Sequence, residues 1–236
     1  MSQRPSRRQG TATPAARAPQ LDELEAAPPW GPHAWIALLV MGALVAAVIG
    51  AGWLVSKALE PPVPAALANC ATSTQVGPHQ FIGPQPMCIT AGQKLQATIS
   101  TVHGDIVLQL APEVAPVTVN NFVVLAIHGF YNGLTFWNSE DWVVQGGDPR
   151  GNGRGGPGYN LPEETTVTPW GVGAVGMARV PGGPVNGSQF FIQKGAWPPS
   201  GPTAAYNRFA TVITGISSVT GIQAGDTINA VTIKVL

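Results

Sequence analysis

The chain has 236 residues, and its 12 basic and 12 acidic side chains cancel to a formal net charge of +0, with only 10% of residues charged. No field of one sign is present to attract nucleic acid or a strongly acidic partner, so a neutral binding surface is expected. His33, His79, His103 and His128 are scattered, and there is no Cys-x-x-Cys and no carboxylate cluster, so neither a metal nor another cofactor is expected.

Residues 1–32 are rich in Pro, Ala and Arg with almost no large apolar side chains, too little to offset the entropy of ordering. They read as a disordered tail. Trp35 to Val55 then runs for 21 residues without a charge, long enough to cross the apolar core of a bilayer. Trp30, Trp35 and Trp53 stand where interfacial aromatics are favoured, and Arg4, Arg7, Arg8 and Arg17 precede the run while Lys57 follows it closely. The expectation is one transmembrane helix over 33–56, with the N-terminus cytoplasmic and the remainder outside the cell membrane. A cleaved signal peptide would have an apolar region of about 7 to 15 residues placed nearer the start. Leu67-Ala68-Asn69-Cys70 is a poor lipoprotein site, because Asn69 precedes the cysteine and the apolar run ends well upstream.

Residues 57–92 read as a Pro-rich linker, with Glu60-Pro61-Pro62-Val63-Pro64 a stiff, extended spacer. Its Cys70 and Cys88 are the two cysteines of the chain and fall on the side assigned to the exterior, where oxidation is permitted. A disulfide is expected, the alternative being two free thiols. Such a bond would remove roughly 3 kcal/mol of unfolded-state entropy in the simple chain model.

The folded domain is expected over 93–236. Leu95 to Ser100 and Ile106 to Leu110 are β-rich and joined across His103-Gly104-Asp105, which predicts a hairpin. Pro116 suits a first helical turn, Val119, Phe122, Val123 and Ala126 recur at helical spacing, and Gly129 stands where a helix commonly ends. Asn132-Gly133 turns the chain into Leu134-Thr135-Phe136. Further strands are predicted at 142–145, 172–177, 189–192 and 209–213, with a short helix after Gly215. In the last segment Val231, Ile233 and Val235 share one face, opposite Thr232 and Lys234, as in a half-buried strand. Many short strands, few helices and abundant turn glycines point to a sandwich or barrel capped by helices.

Three motifs narrow this. Val144-Gln145-Gly146-Gly147-Asp148-Pro149, Gly155-Gly156-Pro157-Gly158-Tyr159 and Val185-Asn186-Gly187-Ser188-Gln189-Phe190-Phe191-Ile192 follow one another in the order of the cyclophilins. The stretch from about residue 95 to 236 resembles that family of peptidyl-prolyl cis/trans isomerases. The resemblance implies a mainly β fold, a closed eight-stranded barrel capped by two helices. It also implies that Phe136, Trp142, Met177, Ala178 and Phe191 surround a proline pocket, with Trp197 and Tyr206 at its edge. Gln145 and Gln189 match the glutamines that hold the peptide backbone. A literal Gly-x-Gly-x-x-Gly at 151–156 is followed by Pro157 and lacks a strand-to-helix transition, so it reads as a loop and not a dinucleotide site.

One departure stands out. Relatives usually read Phe-His-Arg-Val, the arginine being the cationic donor to the twisting amide, whereas this chain reads Phe136-Trp137-Asn138-Ser139 in a segment about one residue shorter. No arginine lies between Arg17 and Arg150. Asn138 takes the position most simply, and Arg179, beside Met177, is the best-placed replacement cation. The expected activity is isomerisation of X-Pro bonds in exported proteins, reduced by the lost charge. The alternative is a catalytically weak chaperone or scaffold module that holds proline-containing segments in the same groove.

Overall fold

The computed structural model describes residues 39–49, 62–90, 92–164, 169–199 and 205–236. The chain divides into two compact units, Met1–Glu60 and Pro61–Leu236. In the first, residues 39–49 form helix α1, whose apolar side chains such as Leu39, Leu44 and Val48 are exposed. Among the described residues no helix is long and apolar enough to cross a membrane. The expected tail over 1–32, and the parts of the expected span over 33–56 that flank α1, lie outside the described residues.

The second unit is built on one antiparallel sheet. Strands β3 (Leu95–Thr101) and β4 (Gly104–Leu110) form the predicted hairpin, with Ile99 opposite Ile106. Strict alternation buries Leu95, Ala97, Ile99, Ile106, Leu108 and Leu110 on a single face. The other strands of this sheet are β5 (Asn138–Ser139), β6 (Val143–Gly146), β8 (Ala174–Met177), β10 (Phe190–Gln193), β11 (Arg208–Thr214) and β12 (Ile228–Val235), while β7 (Asn160–Leu161) and β9 (Val185–Asn186) pair separately. They complete the order β12-β3-β4-β11-β8-β10-β6-β5. Helix α2 (Pro116–Ile127) carries proline in its first turn and buries Val119, Phe122, Val123 and Ala126. Phe122 sits at the centre of an aromatic core, 5.1 Å from Tyr131, 5.1 Å from Phe209 and 6.0 Å from Phe190 between ring centroids. The short helix α3 (Ile216–Gly221) follows Gly215.

Two expectations are corrected. The sheet is a curled, open half-barrel and not a closed barrel, because its end strands β12 and β5 share no ladder. They meet through the isolated bridge Thr135–Thr227, backed by Phe136 N donating to Asp226 O at 2.8 Å. Leu134-Thr135-Phe136 thus supplies a bridge rather than a strand, and β5 is only two residues long.

Nor are residues 57–92 a free linker throughout. From Pro64 the chain makes a 3-10 turn (Ala65–Leu67) and a small hairpin of β1 (Gln75–Gly77) and β2 (Gln80–Phe81), and Leu67 and Phe81 are buried in the main core. Proline stiffness does not prevent packing when apolar residues recur between the prolines. Cys70 and Cys88 are disulfide-bonded with Cα atoms 5.2 Å apart. The Cys88 N–H also donates to Asn120 Oδ1 of α2 at 2.8 Å.

Candidate active site

The adjacent strands β8, β10, β6 and β5 carry the groove. Register sets Gln145 opposite both Phe191 and Asn138, and Gly176 opposite Phe191, so residues distant in sequence are brought together. Two clefts result. The first, of about 30 Å³, is lined by Trp142, Gln145, Ala178, Arg179, Phe191, Trp197 and Tyr206. The second, of about 280 Å³, is lined among others by Trp137, Gln145, Ala178, Arg179, Asn186 and Gln189. Gln145, Ala178 and Arg179 form their shared wall.

Aromatic rings build the first cleft. Phe191 lies 5.0 Å from Tyr206, Trp142 lies 4.7 Å from Trp197, and Trp197 stacks on Tyr206 at 6.0 Å and 13°. Trp170, which sequence reasoning missed, stacks on Phe191 at 5.3 Å and 21°. It lies in no periodic segment and belongs to no motif, so nothing local marks it. Phe136 and Met177 are fully buried and line neither cleft. They support the floor from the core, Phe136 edge-on to Phe190 at 6.3 Å.

The second cleft is polar and held by a loop. The Gly155 carbonyl accepts from Gln189 Nε2 at 2.7 Å and from Asn186 Nδ2 at 3.0 Å, while Asn186 Oδ1 caps the Ser188 and Gln189 N–H groups at 2.9 Å each. The Trp137 ring crosses the loop at Gly153, where φ is +79° and a Cβ would stand 2.9 Å from the indole. Only glycine fits both demands without strain.

Beside Gln145 of the shared wall stands Asn138, the residue that the resemblance sets at the family's arginine position. Asn138 Nδ2 donates to Gln145 Oε1 at 3.2 Å and to Glu140 Oε1 at 2.9 Å, and the other Glu140 oxygen accepts from Trp142 Nε1 at 2.9 Å. Asn138 therefore orients Gln145, and Glu140, which belongs to none of the three motifs, orients both Asn138 and Trp142. Arg179 is only 9% exposed in its side chain and pairs with Glu163 at 2.6 Å. Its other terminal contacts are the carbonyls of Ala205, at 3.2 Å, and Gly183.

Three donors in this region are buried without a hydrogen-bond partner among the described residues: Arg179 Nε, Trp137 Nε1 and Trp197 Nε1. Such groups are expensive in a folded protein and call for an acceptor. Among the described residues no cluster of three or more His, Cys, Asp or Glu side chains could hold a metal ion. The site thus combines an aromatic slot and a polar slot, with buried donors in their walls.

The class is defined by a mainly β half-barrel that carries its groove on adjacent strands, and comparison with known proteins identifies the family. The model of the cyclophilin type peptidyl-prolyl cis-trans isomerase/CLD family matches residues 95–235. The chain belongs to this family. A peptidyl-prolyl cis-trans isomerase of Synechococcus elongatus is 47% identical over 98 residues, 41% of this chain and 67% of that protein. Peptidyl-prolyl cis-trans isomerase B of Bacillus subtilis is 40% identical over 129 residues, 53% of this chain and 88% of that protein. Among solved structures, a cyclophilin type isomerase of Cryptosporidium parvum superposes with a TM-score of 0.53 at 26% identity, covering 60% of this chain and 98% of that one.

Proposed function

We propose that the chain catalyses cis/trans isomerisation of X-Pro bonds in exported proteins, more slowly than relatives that carry the arginine. The observation that carries this reading is the aromatic slot of Trp142, Phe191, Trp197 and Tyr206 with Gln145 and Arg179 in its wall. Rotation about the amide must overcome a barrier of about 18–20 kcal/mol that arises from resonance, and a catalyst lowers it by binding the twisted amide better than either planar form. The aromatic cleft grips the proline ring, and because it is narrow as it stands, Trp142 or Trp197 shifts to admit the ring. Gln145, its Oε1 held by Asn138, presents its amide N–H to the flanking carbonyl, and Gln189 holds the peptide backbone. Arg179 Nε supplies the nearest cationic donor. Asn138 brings no charge to the nitrogen that becomes pyramidal, and losing one such interaction is worth about 2.7–4 kcal/mol, or about a hundredfold or more in rate.

The full-chain protein tests this with a short X-Pro peptide followed by exchange spectroscopy. Asn138→Arg is expected to raise the exchange rate about a hundredfold, and Arg179→Ala to lower it. No exchange above background in the parent, with a clear gain in Asn138→Arg, would leave only the second reading, a catalytically weak peptide-binding chaperone or scaffold. That reading draws on the commitment of Asn138 to Glu140 and Gln145, and of Arg179 to Glu163.

The same protein is placed by this proposal in the cell membrane, anchored by a single pass over 33–56 with the N-terminus cytoplasmic and the groove outside. The support is the uncharged run around α1, with its exposed apolar side chains, and a disulfide suited to an oxidising compartment. Membrane fractionation at alkaline pH is expected to leave the chain in the pellet; release into the supernatant would refute the anchor.

A further inference from the structure

We propose that Gln80 is a positioning residue of the groove, and that the disulfide-closed loop of residues 71–87 which carries it is a working part of the site. The loop lies outside residues 95–235, the part matched by the family. It nevertheless docks on the glycine-rich loop that Gln189 and Asn186 of the second cleft also contact. Gln80 Nε2 donates to the Gly156 carbonyl at 2.7 Å, and Phe81 N donates to the Pro157 carbonyl at 2.9 Å. One peptide earlier, the Gly155 carbonyl receives Nε2 of Gln189, a residue of the second cleft, at 2.7 Å. The two carbonyls belong to consecutive glycines, whose backbone has wide conformational freedom unless something holds it.

Gln80 holds it at Gly156, and Gln189 is aimed by the same segment at Gly155. The disulfide between Cys70 and Cys88 keeps the loop against the domain, so Gln80 meets Gly156 at high effective concentration rather than by chance encounter. Removing the Gln80 donor lets the Gly155-Gly156 backbone move and loosens the grip of Gln189 on a bound peptide. Because Gln189 grips planar and twisted peptide alike, the loss falls on KM and leaves kcat nearly unchanged.

This inference rests on the groove reading above, and the experiment separates the two. In the full-chain protein, exchange kinetics with a short X-Pro peptide are measured for Gln80→Glu, which sets a carboxylate against the Gly156 carbonyl, for Gln80→Lys, which keeps a donor, and for Gln189→Ala. The Gln189 side-chain amide resonances are followed in the Gln80 variants. Gln80→Glu is expected to raise KM about three- to tenfold, the scale of one lost hydrogen bond, with kcat within about twofold of the parent and the Gln189 amide resonances displaced. Gln80→Lys is expected to restore both readouts. KM and resonances unmoved in Gln80→Glu, or Gln80→Lys as impaired as Gln80→Glu, would overturn the positioning role. An unaltered KM and kcat in Gln189→Ala would instead remove the groove reading on which it stands.

Discussion

The two clefts share Gln145, Ala178 and Arg179 yet are built by opposite means. The aromatic cleft is made of side chains that pack on one another, Phe191 between Trp170 and Tyr206 and Trp197 over Trp142. The polar cleft is lined by side chains such as Asn186 and Gln189 that are fixed by hydrogen bonds to a glycine-rich loop, which Gln80 holds in turn. Ring packing is non-directional and tolerates small shifts, which suits a slot that must open for a proline ring. Hydrogen bonds to backbone carbonyls are directional, which suits a slot that must hold a peptide in one register. On the proposed function, ring capture falls to one side and backbone alignment to the other.

Phe191→Ala gives the largest expected break in that comparison. The side chain is 2% exposed, and phenylalanine-to-alanine changes in a core cost about 3–5 kcal/mol. Thermal unfolding is expected to fall accordingly, and peptide exchange to be lost, while the Gln189 side-chain amide resonances stay in place because its carbonyl partner is on the other cleft. Displacement of those resonances by Phe191→Ala would mean that the clefts are one mechanical unit and that the division is wrong.

The asymmetry also governs what the sequence makes legible. Strands β3, β4 and β12 and helix α2 are readable because alternation and helical spacing report which face is buried, and Pro116 and Gly129 mark the ends of the helix. The aromatic slot is readable in part: Phe191 and Gln145 sit inside motifs, whereas Trp170 reaches Phe191 from a segment without periodicity. The burial of Phe136 and Met177 in the core, rather than on a cleft, depends on how the sheet curls and has no local signal. The support of the polar slot is least legible. Gln80 and Gly156 are 76 residues apart, and a lone glutamine in a Pro-rich stretch looks like any solvated residue. The open sheet has the same cause: closure is decided by whether Leu134-Thr135-Phe136 pairs along its length or at one bridge, which composition does not encode.

Tyr159→Phe offers a smaller effect that sharpens the comparison from the polar side. The Tyr159 hydroxyl joins three parts of the domain: it accepts from Gln85 Nε2 at 2.9 Å, on the disulfide-closed loop, and donates to Asn121 Oδ1 at 2.6 Å, on α2. Asn121 Nδ2 in turn donates to the Gly187 carbonyl at 2.7 Å, two residues before Gln189. Phenylalanine leaves Gln85 and Asn121 each short of a partner, a loss of about 1–3 kcal/mol. Burial pushes the Tyr159 hydroxyl up from 10.0 to about 12, with the Gln85 hydrogen bond acting in the opposite sense. A raised pKa means that the folded chain holds this proton more tightly than the unfolded chain, so the associated stability is complete below about pH 10 and fades as pH rises toward about 12. The parent should therefore lose stability across that interval, and Tyr159→Phe should lose less of it, in unfolding measured at stepped alkaline pH. Peptide KM should rise in Tyr159→Phe while the Trp170–Phe191 stack keeps its near-ultraviolet dichroism, since only the loop side of the groove has been loosened. Parallel alkaline curves for the two proteins would show that Tyr159 does not couple the disulfide-closed loop to the groove.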